Sequence, residues 1–267
     1  IRFFRWRNIK STKKNYSSNS GAMFKSYLIT GMRSLLRHRL NGSINILGLS
    51  LAIGIAITAF IVIDNLLHTD QFHENIDRIY QVTSKTEADK RTEEWSDSPM
   101  MLGPSMSQDQ QGIQAFTRIE FGQVTIRHRD DVFNESIWFV DPDFFAMFSF
   151  PILAGDERPL GNKNQLAIEK NIAKKYFGDQ DPIGQTLTLK FLENDKQEFT
   201  VSAVFELTTG TTLYPTVILS IVNFHERRPE KANDWAYQVD GTFIMLRKDQ
   251  SIDAIAAQMK KYVETQN

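Results

Sequence analysis

Hydrophobic and polar positions follow different periods along this chain, and each period predicts a different element. Ile44 to Ile63, INILGLSLAIGIAITAFIVI, is twenty consecutive positions without a charge. At about 1.5 Å of rise per residue this run makes a helix about 30 Å long, the thickness of a bilayer's hydrocarbon core. Just before it, Phe24, Tyr27, Leu28, Met32, Leu35, Leu36 and Leu40 recur at spacings of three and four, with Ser26, Thr30, Arg33 and Arg37 opposite them. That spacing predicts an amphipathic helix over 23–41, lying in a membrane interface. Asn41-Gly42 predicts a turn between the two helices. Residues 1–22 show neither period and end in the Ser/Asn-rich stretch Tyr16 to Gly21, so a disordered basic leader is expected, with Met23 a candidate start.

After the apolar run the period shortens towards two. Strands are expected at Ile79–Ser84, Val124–Arg127, Ser136–Val140, Thr186–Phe191, Phe199–Phe205 and Gly241–Arg247. Leu192 to Gln197 is a polar link between two of them, as in a hairpin. Pro99–Gln110 is expected to be helical. Glu169 to Phe177 predicts a short helix closed by Gly178, which tolerates the left-handed cap. Ser251 is placed to cap a final helix to about Thr265, with Ile252, Ile255, Ala256, Met259 and Val263 on one face. The expected class is α+β: a single N-terminal transmembrane helix at 44–67, then a two-lobed α+β domain at 68–267.

Charge orients the picture. The first ten ionised side chains, Arg2 through Arg39, are all basic, and the first acid is Asp64. The rest of the chain then carries 21 basic against 32 acidic groups, a balance of −11. Such a bias predicts a cytoplasmic N-terminus and an exported acidic domain, and argues against nucleic acid as a partner. The apolar run is long and ends in Phe60-Ile-Val-Ile-Asp64, a poor cleavage context, so an uncleaved anchor in contact with lipid is expected. Within it Ser50, Gly54 and Thr58 recur every four residues, a spacing that lets another helix approach closely. There are no cysteines, hence no disulfide framework and no thiolate chemistry.

Several segments carry a resemblance. Val140-Asp-Pro-Asp-Phe-Phe-Ala-Met-Phe-Ser-Phe150, Leu166-Ala-Ile-Glu-Lys-Asn-Ile-Ala-Lys-Lys-Tyr-Phe-Gly178, Asp181-Pro-Ile-Gly184 and Phe199-Thr-Val-Ser-Ala-Val204 resemble MacB-type periplasmic core domains. Ser43-Ile-Asn-Ile-Leu-Gly-Leu49 and Asp70-Gln-Phe-His-Glu-Asn-Ile-Asp-Arg-Ile-Tyr80 are similar to the start of ABC transporter permeases of the MacB/FtsX type that carry this domain. Where members often have a Pro and a Ser-His pair, this chain has Glu206-Leu-Thr-Thr-Gly-Thr-Thr-Leu213. The resemblance implies a non-catalytic permease subunit in the cytoplasmic (inner) membrane, with its main domain periplasmic. It further implies a cytoplasmic ABC ATPase as partner, a homo- or heterodimer of permeases, and a periplasmic or outer-membrane partner. Family members typically have four membrane helices, so the sequence is expected to be the leading part of a permease. Its last helix should then return to the bilayer, placing Tyr262 near His68.

The same residues have physical roles of their own. Pro142 suits a turn or a first helical position that Asp141 could cap. Phe144, Phe145, Phe148 and Phe150 are expected in a core rather than a ligand cage. Asp181 to Gly184 predicts a tight turn with Gly184 at positive φ. Chemical sites are not apparent. Gly178 to Thr186 has the wrong spacing for a phosphate loop and lacks its lysine. His68, His73 and Glu74 are poorly spaced for a metal, while His128 and His225 stand isolated. No catalytic, cofactor-binding or metal-binding residue is assigned, and no cofactor is expected. Two other classes remain open, an anchored sensor or binding module and a tethered enzyme.

The expected topology places Asn41 and Asp89 on opposite sides of one membrane. Reporter fusions at the two positions should give opposite compartment signals, and equal signals would show that the apolar run does not cross.

Overall fold

A computed structural model describes residues 20–88, 91–129, 131–192, 195–259 and 261–262. It divides into a helical unit up to Leu66 and a second unit from Leu67. In the first, α1 spans Ser20–Arg37 and α2 Arg39–His68. The break falls at His38 and not at Asn41-Gly42, which lies inside α2. Bonds from His38 N to Ser34 O (3.0 Å) and from Gly42 N to His38 O (2.9 Å) continue the helical ladder through the junction. One glycine costs a helix only about 1 kcal/mol, too little to stop one that the apolar run extends. Large side chains from Ile44 to Leu67 are exposed all along α2, and it is the one described helix long and apolar enough to cross a membrane. A helix apolar on every side needs lipid or other helices around it.

The second unit begins with a 3₁₀ turn at Ile76–Arg78, then β1 (Ile79–Val82), β2 (Ser84–Ala88), β3 (Arg91–Trp95), β4 (Ser98–Pro99) and α3 (Leu102–Asp109). There follow β5 (Ile113–His128), β6 (Asp131–Val140), α4 (Phe144–Met147), β7 (Ile152–Gly155), β8 (Gln165–Glu169) and α5 (Lys170–Phe177). Then come β9 (Thr186–Leu192), β10 (Asp195–Phe205), β11 (Val217–Ser220), α6 (Val222–Arg227), α7 (Pro229–Ala232), β12 (Gln238–Val239), β13 (Gly241–Leu246) and α8 (Ile252–Ala256).

Six of these strands close into a ring. The pairs run β5–β6, β6–β11, β11–β8, β8–β10 and β10–β9, and β9 returns to β5 through Thr125↔Lys190, Ile126↔Leu189 and Arg127↔Thr188. Each strand sends two alternate side chains into the ring: Val124 and Ile126, Ile137 and Phe139, Leu166 and Ile168, Leu187 and Leu189, Phe199 and Val201, Val217 and Leu219. All twelve are buried, so this is a small barrel filled by its own side chains. Ile172, Ala173, Tyr176 and Phe177 of α5 belong to the same cluster, as do Ile221 and Phe224 around α6.

A second cluster joins Trp138, Val140, Ala167, Ala203, Phe205 and Ile218, the alternate positions of the barrel strands, to α4 and the segment after it. Phe144, Phe148 and Phe150 are buried there, Phe144 stacks on Phe150 (5.9 Å), and Phe145 meets Phe205 edge-on (5.7 Å). The four rings are core, as expected. The third cluster lies where β5 pairs with β13 and β13 with β1, against α3 and α8. The long β5 therefore serves both lobes, the barrel with its C-terminal half and the three-stranded sheet with its N-terminal half.

Several expectations change in detail. β5 has 16 residues where four were expected, because Thr117, Arg118 and Glu120 break the apolar alternation yet are buried with partners. β8 and β11 are buried at nearly every position and so lack the alternation that marks a half-exposed strand. Gly184 takes the positive φ expected of it (78°); Gly178 closes α5 with a positive φ (61°) but with ψ −121°, not the left-handed helical cap expected, and the side chain of Glu169 caps the start of α5 by accepting from Asn171 N. Asp141 is not a cap: α4 starts at Phe144 with no side-chain cap bond, and the Asp141 carboxylate is engaged by Arg118. The final helix is short. Ser251 caps α8, but beyond Ala256 the bonds shift to the tighter i→i−3 pattern of turns (Met259 N to Ala256 O, 3.1 Å). The expected leader, save its last residues, and Val263 onwards lie outside the described residues.

Phe199 fills the barrel at 0 % exposure, whereas Leu153 on edge strand β7 is 47 % exposed. Phe199→Ala should cost about 3–5 kcal/mol and Leu153→Ala under about 1 kcal/mol by denaturant unfolding. Equal costs would contradict the barrel interior.

Candidate coupling site

The segment that leaves α2 is anchored more densely than a linker needs to be. Asp70 takes a left-handed conformation (φ 59°), which aspartate tolerates better than most residues. That turn lets its N–H donate to Gly210 O (2.8 Å) while its carboxylate accepts from Thr212 N (2.8 Å) and the Thr212 hydroxyl. Three residues on, His73 Nδ1 accepts from Ser149 N (3.0 Å), and Glu74 N donates to Ser149 Oγ (3.0 Å). Asn75 Nδ2 donates to Ala146 O (3.4 Å). Arg78 completes the clasp: Nη1 donates to Gln114 Oε1 and Leu246 O (both 2.8 Å), and Nη2 to Asn75 Oδ1 (2.5 Å). Nine residues after the apolar helix are thus tied to the 208–213 loop, to the turn after α4, to the start of β5 and to the end of β13.

The strands themselves bring entry and exit together. β1 and β13 are antiparallel neighbours with Ile79 opposite Met245, so the chain enters this unit beside the point where β13 ends. Tyr262, expected near His68, stacks on Trp235 (6.2 Å) and donates from its hydroxyl to Asp109 Oδ2 (2.9 Å).

A buried ion pair fixes the middle of the domain. Arg118 meets Asp141 through Nε (2.9 Å) and Nη2 (2.7 Å), its own backbone N–H adds a third bond (2.8 Å), and Nη1 donates to Met100 O (3.0 Å). Such a pair survives burial only when its hydrogen-bonding capacity is filled, as here. It locks β5 to the end of β6 and to the segment beside β4. Burial, with the Arg118 guanidinium second, holds the His225 imidazole below its ordinary pKa.

At the barrel end near α6 opens a cleft of about 740 Å³. Arg227 lies over the Phe191 ring (3.6 Å) and donates to Asp195 Oδ2 (2.7 Å), Gln197 Oε1 (2.6 Å) and Asn223 O (2.9 Å). Glu120 lines the same cleft and accepts from the Tyr237 hydroxyl. Burial pushes its carboxyl up to about 7, with Asp240 adding to the rise and the Tyr237 bond and Lys231 opposing it.

Among the described residues no three His, Asp or Glu side chains converge to hold a metal. His73 is in the core, turned to Ser149, while His128 packs edge-on to Phe177 (4.6 Å). Sequence reasoning named Asp70 and Arg78 only as part of a resemblance and not for these contacts, and it did not single out Arg118 or Glu120. Arg118 and Glu120 did leave a signal, as single charges inside the apolar stretch Ile113 to Phe121.

These features define a class: an α+β domain that follows a membrane-length helix in the chain and bonds its own first residues, Asp70 to Arg78, into its body. Residues 43–262 match the MacB-like periplasmic core domain, and the chain belongs to that family of ABC-type permease domains. Two solved structures are similar in fold. One is a domain of a permease protein from Porphyromonas gingivalis, at 20 % identity and a TM-score of 0.61, covering 74 % of this chain and 84 % of that one. The other is the periplasmic region of MacB from Actinobacillus actinomycetemcomitans, at 12 % identity and a TM-score of 0.51, covering 72 % and 84 %. No curated protein matches the chain in sequence.

The folded domain holds the Glu120 proton more tightly than the unfolded chain does. Its stabilising contribution is therefore complete below about pH 4.5 and is lost as pH rises through about 7. Glu120→Gln, neutral at every pH, should remove on the order of 2–3 kcal/mol of that loss, seen as a flatter dependence of the denaturant midpoint on pH. Parallel pH profiles for the two proteins would refute the buried acid.

Proposed function

We propose that this chain is the non-catalytic leading part of an ABC transporter permease, which passes motion between a cytoplasmic ATPase and an extracytoplasmic domain acting on envelope substrates. The observation that carries this reading is the clasp from Asp70 to Arg78. A flexible tether would suffice for an anchored module. Here residues 70–78, the first after the apolar helix, are bonded to the 208–213 loop, to α4 and the turn after it, to the start of β5 and to the end of β13, so a displacement of this segment would reach both lobes. Supporting it are the family membership, the acidic bias after Asp64 and the all-basic stretch before it, which favour a cytoplasmic N-terminus in the inner membrane. The small-residue face of α2 suits packing against further permease helices, in one subunit or a dimer. A periplasmic or outer-membrane partner would meet the exported domain.

Because the chain has no cysteine, introduced ones are unique. Spin labels at Asn41→Cys and Leu153→Cys, in membranes containing the assembled permease and its ATPase, should shift their distance distribution between ATP-trapped and nucleotide-free states. Adding Asp70→Ala with Thr212→Ala should reduce the shift. A wild-type distribution identical in both states would sink the coupling reading.

A further inference from the structure

The last residues of α2 and the 208–214 loop form one local structure inside the second unit. Gln71 Nε2 donates to Leu67 O (2.5 Å), which ties the end of the helix to the turn at Asp70. That turn grips the loop through Gly210 O and Thr212 N, and a Cβ placed on Gly210 would lie 3.9 Å from His68 O. The loop is stiff in its own right. The buried Thr211 hydroxyl donates to Leu213 O (3.1 Å) and accepts from Leu213 N (3.0 Å). Leu213 packs on the aromatic cluster and Pro215 is buried. Between these two inward residues Tyr214 stands 63 % exposed.

Helix length sets the level of this loop. The 30 residues of α2 extend about 45 Å, the thickness of a bilayer with both headgroup layers. With Arg39 among the headgroups of one leaflet, His68 reaches those of the other. Exposed Leu66 and Leu67 carry the helix's apolar surface almost to that end. The composition of the loop suits such a level. Leu207 to Thr216 holds no ionised side chain, in a part of the chain where 21 basic and 32 acidic groups follow Ile63. Threonine hydroxyls can lie among headgroups without desolvating a charge. A tyrosine ring is favoured there because its apolar body faces the acyl chains while its hydroxyl stays wet.

We propose that the 208–214 loop rests in the lipid headgroup layer beside the end of α2, with the Tyr214 ring as its anchor. This rests on the reading that α2 crosses a membrane. The contact is with a neutral lipid surface. The loop offers no cation to an anionic headgroup, and Asp64, Asp70, Glu74 and Asp77 in the adjoining segment disfavour one. Lipid then braces from outside the same loop that Asp70 holds from within.

The test uses the full chain in phosphatidylcholine nanodiscs, with a fluorophore on Thr209→Cys, an exposed loop position in a chain without cysteine. A nitroxide on the lipid headgroup should quench this label more than one at the end of the acyl chain. Tyr214→Asp should lower the quenching about twofold, whereas Tyr214→Trp, which keeps an interfacial ring, should preserve it. A label on Ile53→Cys reports the span itself and should be quenched most by the acyl-chain nitroxide. An unquenched Thr209→Cys label beside a quenched Ile53→Cys label overturns the loop contact and leaves the span standing. Loss of quenching at both positions overturns both. The proposal also falls if Tyr214→Asp changes nothing, or if the Thr209→Cys label is shielded from aqueous iodide yet untouched by lipid nitroxides, as beneath a covering protein. Adding phosphatidylglycerol should leave the quenching unchanged, and an increase would overturn the neutral contact.

Discussion

Closure of the barrel depends on one strand pairing twice. β9 is bonded along one edge to β10 and along the other to β5, and without the second pairing the six strands would form an open sheet with two bare edges. Open edges expose backbone donors and acceptors and invite association with other chains. The closed ring also gives each strand an inside, and that inside is what buries Ile126, Leu189 and their ten counterparts. From it follow the burial of the α4 aromatics against other barrel positions and the rigidity of β5. A stiff β5 in turn lets the barrel and the three-stranded sheet act as one body.

That rigidity changes what the clasp can accomplish. Hydrogen bonds to a soft domain would deform it locally. Here Arg78 holds the backbone at the end of β13, which pairs with β5, while Asp70 and His73 hold loops that pack on the aromatic cluster of the barrel. The Arg118–Asp141 pair pins β5 to β6 between those two regions. An ion pair so deeply placed contributes little net stability. Its effect is geometric, because the planar guanidinium accepts only one arrangement of the strands around it.

How much of this was visible in the sequence depended on which physical signal each element carries. β9 and the first half of β10 alternate because one face of each is buried and the other is not, and their hairpin was evident, although β10 is buried on both faces from Val201 onward. The apolar helix and the aromatic core around Phe144 announce themselves by composition. β8 and β11 are buried on both faces and give no period, so they passed unnoticed. Asp141 was assigned to a local cap because the helix-start pattern is local, whereas its true partner Arg118 is 23 residues away. The clasp was illegible for the same reason carried further: Asp70 meets Thr212 across 142 residues and Arg78 meets Leu246 across 168.

The pairing of β1 with β13 has an evolutionary consequence. A domain whose first strand lies antiparallel beside its last holds both in one register, so changes elsewhere in it need not disturb that pairing. Selection can rework the barrel mouth or the separate β2–β3 pair while the register between the first and last strands is kept.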